Sequence, residues 1–286
     1  MAINDTVIKL ATFNVLAPCW ADTKYYPVNS LQYLDKDYRK KTIIDLLLNL
    51  TKTNDLIALQ ETQEDEFLYI KSVLAVVNFE GFNINHRDDY WCLYITENPP
   101  FVSNGVALFW NKKTINMLKI YGQNLTNDGN RCIMAFFENI KNTKLFRLMC
   151  VHLDSDTVGR NEFETKEIIN IFNEFNIIKN TTDIIIGDLN FNTECPPYNK
   201  IFSDNNFKNV LKTVNKYEIT YPYDILHMGN CIYNIIDHIL IRNGIVVDGK
   251  VITFNVWDDA ETDDDLINLL LQRTGSDHFV VIGAVT

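Results

Sequence analysis

Six apolar stretches along the sequence each end in side chains that can bind a metal ion or a phosphate group. The end residues are carboxylates, amides and imidazoles: Asn14, Glu61, His152, Asp188 with Asn190, Asp237, and Asp277 with His278. Loops that follow strands often carry functional side chains, because the strands hold them in place. Six such endings in one chain are hard to explain as ordinary exposed surface, so we interpret them as parts of one site.

These residue types suit metal-assisted attack of water on a phosphate ester. Hard divalent cations such as Mg2+ prefer carboxylate and amide oxygens and keep some of their water. A carboxylate near the phosphate can take a proton from the attacking water, and a histidine can donate to phosphate oxygens that gain charge. A second carboxylate can fix the tautomer of that histidine. The six scattered cysteines contain no C-x-x-C pair and do not favour a zinc site.

Short strands that alternate with helices would position these side chains. The predicted strands are rich in Ile, Val, Leu and Phe: Val7–Asn14, Leu56–Gln60, Gly105–Trp110, Arg131–Phe137, Phe146–Leu153, Asp183–Asp188, Ile235–Ile241 and Phe279–Val285. The predicted helices are Tyr38–Leu50, Glu64–Val77, Asn161–Asn176 and Pro197–Asn205. No repeat, linker or change in composition divides the chain, so we expect one domain over residues 1–286, with sheets inside and helices outside.

Composition and charge narrow the class of protein. The chain has 286 residues, is 47% hydrophobic and carries a formal net charge of −11. This balance excludes a disordered chain and disfavours tight binding along duplex nucleic acid. The first residues lack the pattern of a signal peptide, and no apolar stretch is long enough to span a membrane. With the scattered cysteines, these features predict an intracellular protein, in the cytoplasm.

The ordered segments resemble those of the endonuclease/exonuclease/phosphatase superfamily. They are Phe13-Asn14-Val15, Leu59-Gln60-Glu61-Thr62, Gly105-Val106-Ala107, Val151-His152-Leu153, Gly187-Asp188-Leu189-Asn190, Ile236-Asp237-His238-Ile239 and Ser276-Asp277-His278. The superfamily includes deoxyribonuclease I, exonuclease III-type abasic endonucleases, inositol polyphosphate 5-phosphatases and nocturnin-like deadenylases. The resemblance implies a deoxyribonuclease I-like α/β fold, a four-layer sandwich of two packed mixed β-sheets flanked by helices.

The resemblance also implies a metal site. Glu61 is expected as the principal ligand, with Asn14 beside it and Asp277 near the metal. The expected ion is Mg2+, with Mn2+ as a substitute. The catalytic roles follow in the same way: Asp188 would orient or activate water, Asn190 and His152 would contact the phosphate, and Asp237 would hold His278. At His238 many members carry an aromatic residue, which concerns the pocket wall more than the chemistry.

Each of these residues also has a structural interpretation when it is taken alone. Asn14 could close a turn after a strand, and Glu61 could begin a helix. His86, His227 and His238 are interpreted as structural or surface residues, because the pattern does not require them. The joint, ordered occurrence of the motifs favours the functional interpretation.

Three local features point to the nocturnin-like, carbon-catabolite-repression-type deadenylase branch. The first is the opening motif Asn14–Ala17 with the loop that follows it, through Tyr25 and Tyr26 to a basic helix start at Arg39. The others are the segment Gly105–Trp110, and the prolines and aromatic residue in Asn192–Tyr198. Two residues are candidates for substrate binding. Arg131 could reach a phosphate or pair with a carboxylate, and Trp91 could stack on a base or pack within its loop.

Other features keep alternatives open. The segment His152–Ser155 with Arg160 looks more like the tyrosyl-DNA phosphodiesterase type. We therefore expect a 3′-end RNA exonuclease, with a DNA-repair phosphodiesterase (tyrosyl-DNA or abasic type) or a phosphatase on a small molecule as alternatives. The expected partner is single-stranded nucleic acid, RNA preferred, or a phosphorylated small molecule, met by a monomer away from membranes. A binding module with an inactive site is disfavoured, because Glu61, Asp188 and His278 are all present.

Overall fold

Strands make up most of the regular structure in this computed structural model, which describes residues 7–86, 104–126, 129–155, 158–174, 181–211, 219–224 and 230–286. The strands are β1 Ile8–Asn14, β2 Leu56–Gln63, β3 Phe79–Asn85, β4 Asn104–Asn111, β5 Ile115–Asn124, β6 Arg131–Asn139, β7 Leu145–His152, β8 Thr182–Asp188, β9 Lys208–Asn209, β10 Tyr221–Asp224, β11 Asn230–Asn234, β12 Asp237–Arg242, β13 Val246–Ile252 and β14 Val280–Val285. The α-helices are α1 Lys36–Leu50, α2 Glu64–Ala75, α3 Val158–Glu174, α4 Tyr198–Asp204, α5 Val256–Asp259 and α6 Asp263–Thr274, and two short 3-10 helices, Thr23–Tyr25 and Val28–Tyr33, precede α1. None of these helices is long and apolar enough to cross a membrane.

Twelve of the strands form two six-stranded sheets. Sheet A has the strand order β13-β14-β1-β2-β4-β3, and sheet B has the order β5-β6-β7-β8-β12-β9. Strands β10 and β11 form a separate pair. In sheet A, β1 runs parallel to β2, and in sheet B, β7 runs parallel to β8, whereas the other neighbours are antiparallel. Both sheets are therefore mixed.

Three clusters of buried apolar residues separate four layers. The central cluster lies between the sheets and takes alternate residues of the inner strands, such as Leu56 and Ala58 of β2. The intervening residues Ile57 and Leu59 belong to a second cluster, which includes side chains of α1 and α2. A third cluster joins the outer face of sheet B to α3 and α4. The order helix, sheet, sheet, helix confirms the predicted four-layer sandwich, whereas the single-domain organisation stays a prediction.

All eight predicted strands are present, but six strands were not predicted: the four edge strands β3, β5, β9 and β13, and the separate pair β10 and β11. An edge strand has one paired side and often an exposed face, so its apolar pattern is weak. In β5 only Ile115 is buried. Helix α1 begins two residues before the predicted start, because the Asp35 side chain accepts hydrogen bonds from the backbone of Asp37 and Tyr38.

Candidate active site

The candidate catalytic side chains lie at the ends of neighbouring strands, on the faces that pack between the two sheets. They begin where the apolar residues of those faces end. In β8, Ile184 and Ile186 lie in the inter-sheet cluster, and Asp188 follows two residues later. The same spacing applies to His152 in β7, whereas in β1 the buried Thr12 lies between Leu10 of the cluster and Asn14. Because side chains of a strand alternate between its faces, these polar groups point to the inter-sheet side. The site therefore forms the mouth of the central core, with contributions from both sheets.

A bulge in β2 re-aims Glu61. The register of β2 on β4 shifts between Gln60 and Thr62, so Glu61 is an extra residue in its strand. Its φ of 60° is left-handed, which is uncommon for a residue other than glycine. Bulges of this kind commonly redirect a side chain beside a functional site. Glu61 Oε2 accepts a hydrogen bond from the backbone N–H of Ala17 at 2.7 Å, which holds the carboxylate in place.

The amide of Asn14 connects carboxylates from the two sheets. Its Nδ2 donates to Glu61 Oε1 at 2.9 Å and to Asp188 Oδ2 at 3.0 Å. Its Oδ1 accepts from the backbone N–H of Leu16 at 2.9 Å. A reversed amide would place its oxygen against two carboxylates and its NH2 group against an N–H, so these contacts fix the orientation. Asn14 thus meets Glu61 as a hydrogen-bond donor, and its expected place among the metal ligands stays a prediction.

The backbone around Asp188 is shaped to hold its carboxylate. Gly187 has a φ of 140°, and a Cβ atom at that position would overlap the carbonyl oxygen of Val151. Asp188 Oδ1 accepts from the backbone N–H of Asn190 at 2.8 Å. The Asn190 side chain donates through Nδ2 to the carbonyl oxygen of Leu153 at 2.7 Å. An amide nitrogen carries two N–H groups, so that bond uses only one of them.

The imidazole of His278 is paired with the carboxylate of Asp237. Its Nδ1 lies 2.9 Å from Asp237 Oδ2, and both side chains are buried. Burial alone would lower the pKa of His278, but Asp237 and then other carboxylates outweigh burial and raise that pKa to about 10. The imidazole is therefore protonated at neutral pH, and its Nε2 lies 3.9 Å from Asp188 Oδ2. The ring of Tyr221 packs on it, with ring centroids 4.6 Å apart.

His152 faces the same carboxylates from sheet B. Its Nε2 lies 3.9 Å from Glu61 Oε1 and 3.9 Å from Asp188 Oδ2. That distance is too long for a direct hydrogen bond, and a small polar group between these atoms could contact all of them. In the part of the chain that the structure describes, the buried Nδ1 of His152 has no hydrogen-bond partner.

Arg131 begins β6 close to the end of β7, because the pairing of these strands reaches Ile133 opposite Cys150, two residues from Arg131 and from His152. Its Nη1 donates to the carbonyl oxygen of Asn85 at 3.3 Å, and its backbone N–H donates to Nδ1 of His86 at 3.0 Å. Burial, helped by the nearby His152 and Arg131, lowers the pKa of His86 to about 3, so that imidazole is neutral. Its ring centroid lies 5.8 Å from that of His152.

Asp277 is a buried carboxylate close to Glu61. Its Oδ2 accepts from the hydroxyl of Tyr26 at 2.9 Å. Its Oδ1 is buried and has no hydrogen-bond partner within the described ranges. Burial raises the pKa of Asp277, and the Glu61 carboxylate adds to that rise. A hard divalent cation would satisfy the oxygen and offset the crowded negative charge, so Glu61 and Asp277 fit the metal that the resemblance implied.

Buried polar contacts tie together the two loops that carry these groups. The guanidinium of Arg39, in α1, donates to three carbonyl oxygens: Gly275, Val15 and Leu16. The hydroxyl of Ser276 donates to the carbonyl oxygen of Asn14 at 2.7 Å. The loop before β14 is thereby fixed against the end of β1.

The structure brings eight of the predicted site residues together: Asn14, Glu61, His152, Asp188, Asn190, Asp237, Asp277 and His278. Arg131 lies at the edge of this group, and Trp91 lies outside the described residues. His238 is buried on the outer face of β12, where its Nε2 lies 3.0 Å from the carbonyl oxygen of Phe191, so it does not face the inter-sheet mouth. Burial lowers the pKa of His238 to about 4.

Sequence reasoning missed three residues that contact the site: Tyr26, Arg39 and Tyr221. Each contacts the site from outside the ordered motifs, so residue type and spacing gave no role for it. The one available signal was the resemblance of the loop through Tyr26 to the start of the Arg39 helix, which pointed to a branch of the family and not to a contact.

A compact group of possible ligands is formed by Asp188, Asp237 and His278, whose ligand atoms all lie within 4.8 Å of one another. A protonated imidazole has no lone pair for a metal, and the pairing with Asp237 favours that protonated form. This group therefore suits proton transfer better than metal binding. Glu61 and Asp277 are the better pair of metal ligands.

Comparison with known proteins agrees with this architecture. A family model described as the Endonuclease/Exonuclease/phosphatase family matches residues 11–278. A comparison with curated proteins gives no match.

Three solved structures illustrate the likeness in fold. The human Nocturnin catalytic domain with bound sulfate anion is 16% identical, with 98% of this chain and 94% of that chain covered and a TM-score of 0.70. ANGEL2, a 2′,3′-cyclic phosphatase, is 11% identical, with 99% and 96% covered and a TM-score of 0.71. The mannosyl-6-phosphatase from Bacteroides thetaiotaomicron VPI-5482 is 15% identical, with 98% and 99% covered and a TM-score of 0.68. Because its model spans nearly the whole chain, this protein belongs to the Endonuclease/Exonuclease/phosphatase family, whose members hydrolyse phosphoric esters.

Proposed function

We propose that this protein is a Mg2+-dependent phosphodiester hydrolase that removes nucleotides from the 3′ end of single-stranded RNA. The arrangement around Asp188 is the observation that supports hydrolysis of a phosphoric ester. The amide of Asn14 contacts both Glu61 and Asp188. The Nε2 atoms of His152 and His278 each lie 3.9 Å from Asp188 Oδ2. Two carboxylates and two imidazoles from both sheets thus surround a space suited to a phosphate group and a water molecule.

The metal would be held by Glu61 and Asp277. The unsatisfied Asp277 Oδ1 and the nearby Glu61 carboxylate support this assignment, and the hard oxygen donors favour Mg2+ or Mn2+ over softer ions. When bound, the cation supplies neutralising charge to the phosphate oxygens. Asn14 contributes by holding the Glu61 carboxylate through its Nδ2.

The protein groups move the protons. Asp188 Oδ2 would accept a proton from the attacking water, while its Oδ1 stays fixed by the backbone N–H of Asn190. As the oxygen of that water bonds to phosphorus, the bond from phosphorus to the O3′ of the remaining RNA breaks, and that oxygen takes a proton from solvent. His278, kept protonated by Asp237, would donate through Nε2 to a phosphate oxygen. His152 would donate from the opposite side, and the unused N–H of Asn190 would complete the contacts to the phosphate.

The substrate assignment depends on charge and on access. A net charge of −11 opposes a long duplex contact but permits binding of a strand end at a few points. The reacting groups are also recessed, since the side chains of His152 and Glu61 are only 16% and 13% exposed. A terminal group reaches such a site more easily than the middle of a duplex. Arg131 and Trp91 are proposed to contact the phosphate and the base.

A second candidate is a phosphatase that acts on a small phosphorylated molecule. The recessed site favours it as much as it favours a strand end, and two of the structural neighbours are named phosphatases. A tyrosyl-DNA or abasic-site phosphodiesterase is the further alternative, and a long duplex substrate fits the acidic charge least well.

One panel of substrates separates these functions. The purified protein is incubated with Mg2+ and with poly(A) RNA, abasic duplex DNA, 5′-tyrosyl DNA, inositol phosphates or a hexose phosphate, and Asp188→Asn serves as the inactive control. We expect RNA shortening from the 3′ end to be fastest and to stop in excess chelator. Faster incision of abasic DNA, or faster phosphate release from a small molecule, would overturn the RNA assignment. Hydrolysis that persists undiminished in chelator would overturn the metal requirement.

The role of Trp91 has its own test. Replacing its ring in Trp91→Ala should raise KM for RNA more than it lowers kcat, because stacking on a base acts mainly in binding. Trp91→Phe keeps an aromatic face and should retain most of the affinity. An equal response of RNA and a hexose phosphate would argue against base stacking.

A further inference from the structure

We infer that Tyr26 is a positioning residue that orients the Asp277 carboxylate for metal binding. Its hydroxyl donates a hydrogen bond to Oδ2, which leaves Oδ1 as the oxygen that would bind the cation. This inference rests on the proposed metal site of Glu61 and Asp277 and adds a residue that no motif contains.

The first support is the asymmetry of the Asp277 carboxylate. Oδ2 accepts from the Tyr26 hydroxyl at 2.9 Å, whereas Oδ1, which is equally shielded from water, has no hydrogen-bond partner in the described part of the chain. A buried carboxylate oxygen without a donor is costly and calls for an explanation. A cation at Oδ1 provides one, because it would contact Oδ1 and the neighbouring Glu61 together.

The second support is that the Tyr26 ring is held firmly. Tyr26 is 6% exposed and belongs to the apolar cluster between the sheets. It directly follows the 3-10 helix Thr23–Tyr25 and precedes Pro27, whose ring restricts the backbone. Because the ring is packed in this way, the position of its hydroxyl oxygen is fixed. It can therefore fix the rotation of the Asp277 carboxylate about its last torsion.

The third support is that the loop of Asp277 is fixed independently of Tyr26. The Arg39 side chain donates a hydrogen bond to the carbonyl oxygen of Gly275, and the Ser276 hydroxyl donates one to the carbonyl oxygen of Asn14 at the end of β1. The backbone around Asp277 therefore does not need the Tyr26 hydroxyl in order to stay in place. What the hydroxyl adds is the orientation of the carboxylate, which matters for ligation and much less for folding.

The test compares Tyr26→Phe with a matched control, Tyr38→Phe. The Tyr38 hydroxyl also makes one hydrogen bond from the region of α1 to the end of α6, at 2.9 Å to the carbonyl oxygen of Gln272. Asp277→Asn serves as the reference for a lost ligand. Melting temperature is measured for all four proteins across a Mn2+ titration, because a cation that binds the folded state raises it. RNA hydrolysis is measured at low and at saturating Mn2+.

For Tyr26→Phe we expect the Mn2+ concentration that gives half of the melting shift to rise about 10- to 100-fold, the usual effect of removing a partner that orients a metal ligand. Tyr38→Phe should titrate like the wild type. Hydrolysis by Tyr26→Phe should fall at low Mn2+ and return to within about threefold of wild type at saturation.

Three results would overturn the inference, and they are distinguishable. If the wild type shows no melting shift with Mn2+, the proposed metal site fails and the inference fails with it. If the wild type responds but Asp277→Asn responds equally, Asp277 is not a ligand. If Tyr26→Phe melts lower without metal but keeps the wild-type half-saturation, the hydroxyl is structural only and the proposed function stands.

Discussion

The pairing of Asp237 with His278 yields a quantitative prediction about stability and rate together. The two side chains are 0% and 6% exposed, and the joining hydrogen bond is 2.9 Å long. Removing one member of a buried ion pair typically costs about 3–5 kcal/mol, because the other charge remains buried without its partner. Asp237→Asn and His278→Ala should each lower the free energy of unfolding by about this amount.

The double variant should cost about as much as the worse single variant, since it leaves neither charge behind. The coupling energy of the cycle then equals the smaller single effect, about 3–5 kcal/mol, well outside the additivity expected for independent sites. The assay is urea unfolding at pH 7 of the wild type, both single variants and the double variant.

The same four proteins test the catalytic role. If Asp237 acts by orienting and charging His278, Asp237→Asn should lose much of the rate that His278→Ala loses, roughly 100- to 10,000-fold. The double variant should be little slower than His278→Ala. Rate losses that multiply, or free energies that simply add, would show that the two residues act separately and would refute the reasoning.

A buried carboxylate elsewhere supplies the control. Asp183 in β8 is as buried as Asp237 and is paired with Arg147 at 2.7 Å, but it lies at the opposite end of its strand from Asp188. Asp183→Asn should lower stability to a similar degree and leave kcat unchanged at temperatures where the protein stays folded. A loss of kcat in this variant would mean that destabilisation alone explains the effect at Asp237.

Three further predictions concern Asn14, Arg131 and Glu164. Asn14→Asp should lower the free energy of unfolding in chelator by about 2–3 kcal/mol, because it replaces a shared donor with a third carboxylate beside Glu61 and Asp188. Thermal melting measures this loss. Asn14→Ala, which adds no charge, should destabilise the protein less. Arg131→Gln should raise KM for RNA several-fold and reduce the salt dependence of binding, whereas an unchanged KM would leave Arg131 as a structural residue. Burial raises the pKa of Glu164 to about 7 from 4.5, so between these pH values the folded state keeps a proton that the unfolded state releases. The free energy of unfolding should therefore fall by roughly 3 kcal/mol as pH rises from about 4.5 to 7. Urea unfolding of Glu164→Gln at pH 4.5 and pH 8 should lack this difference.

The sequence predicted the central strands and most of the candidate site for a common physical reason. A strand that is buried on both faces must be almost wholly apolar, so β8 is visible as Ile184–Ile186 and the polar Asp188 marks its end. The parallel pairing of β7 with β8 then brings His152 level with Asp188. Motif order and strand ends together are enough to predict this group.

The parts that could not be predicted depend on contacts between distant segments. Tyr26 meets Asp277 across 251 positions in the sequence, and neither residue type nor spacing indicates that meeting. The sequence also could not predict that Asn14 donates to Glu61. The orientation of its amide is set by the backbone N–H of Leu16, which donates to the Asn14 Oδ1 atom. The edge strands were missed because an exposed face has no need of an apolar pattern.

The contact between Asn14 of sheet A and Asp188 of sheet B makes the geometry of the site depend on the packing of the two sheets. The spacing of the reacting groups is set by how the two sheets rest on each other, so it depends on every side chain in between, including small ones such as Ala58 and Ala135. A shift of about 1 Å in reacting groups can cost roughly 100-fold in rate. Enlarging either alanine should therefore lower the rate of hydrolysis by moving one half of the site relative to the other, while the strands and helices remain intact.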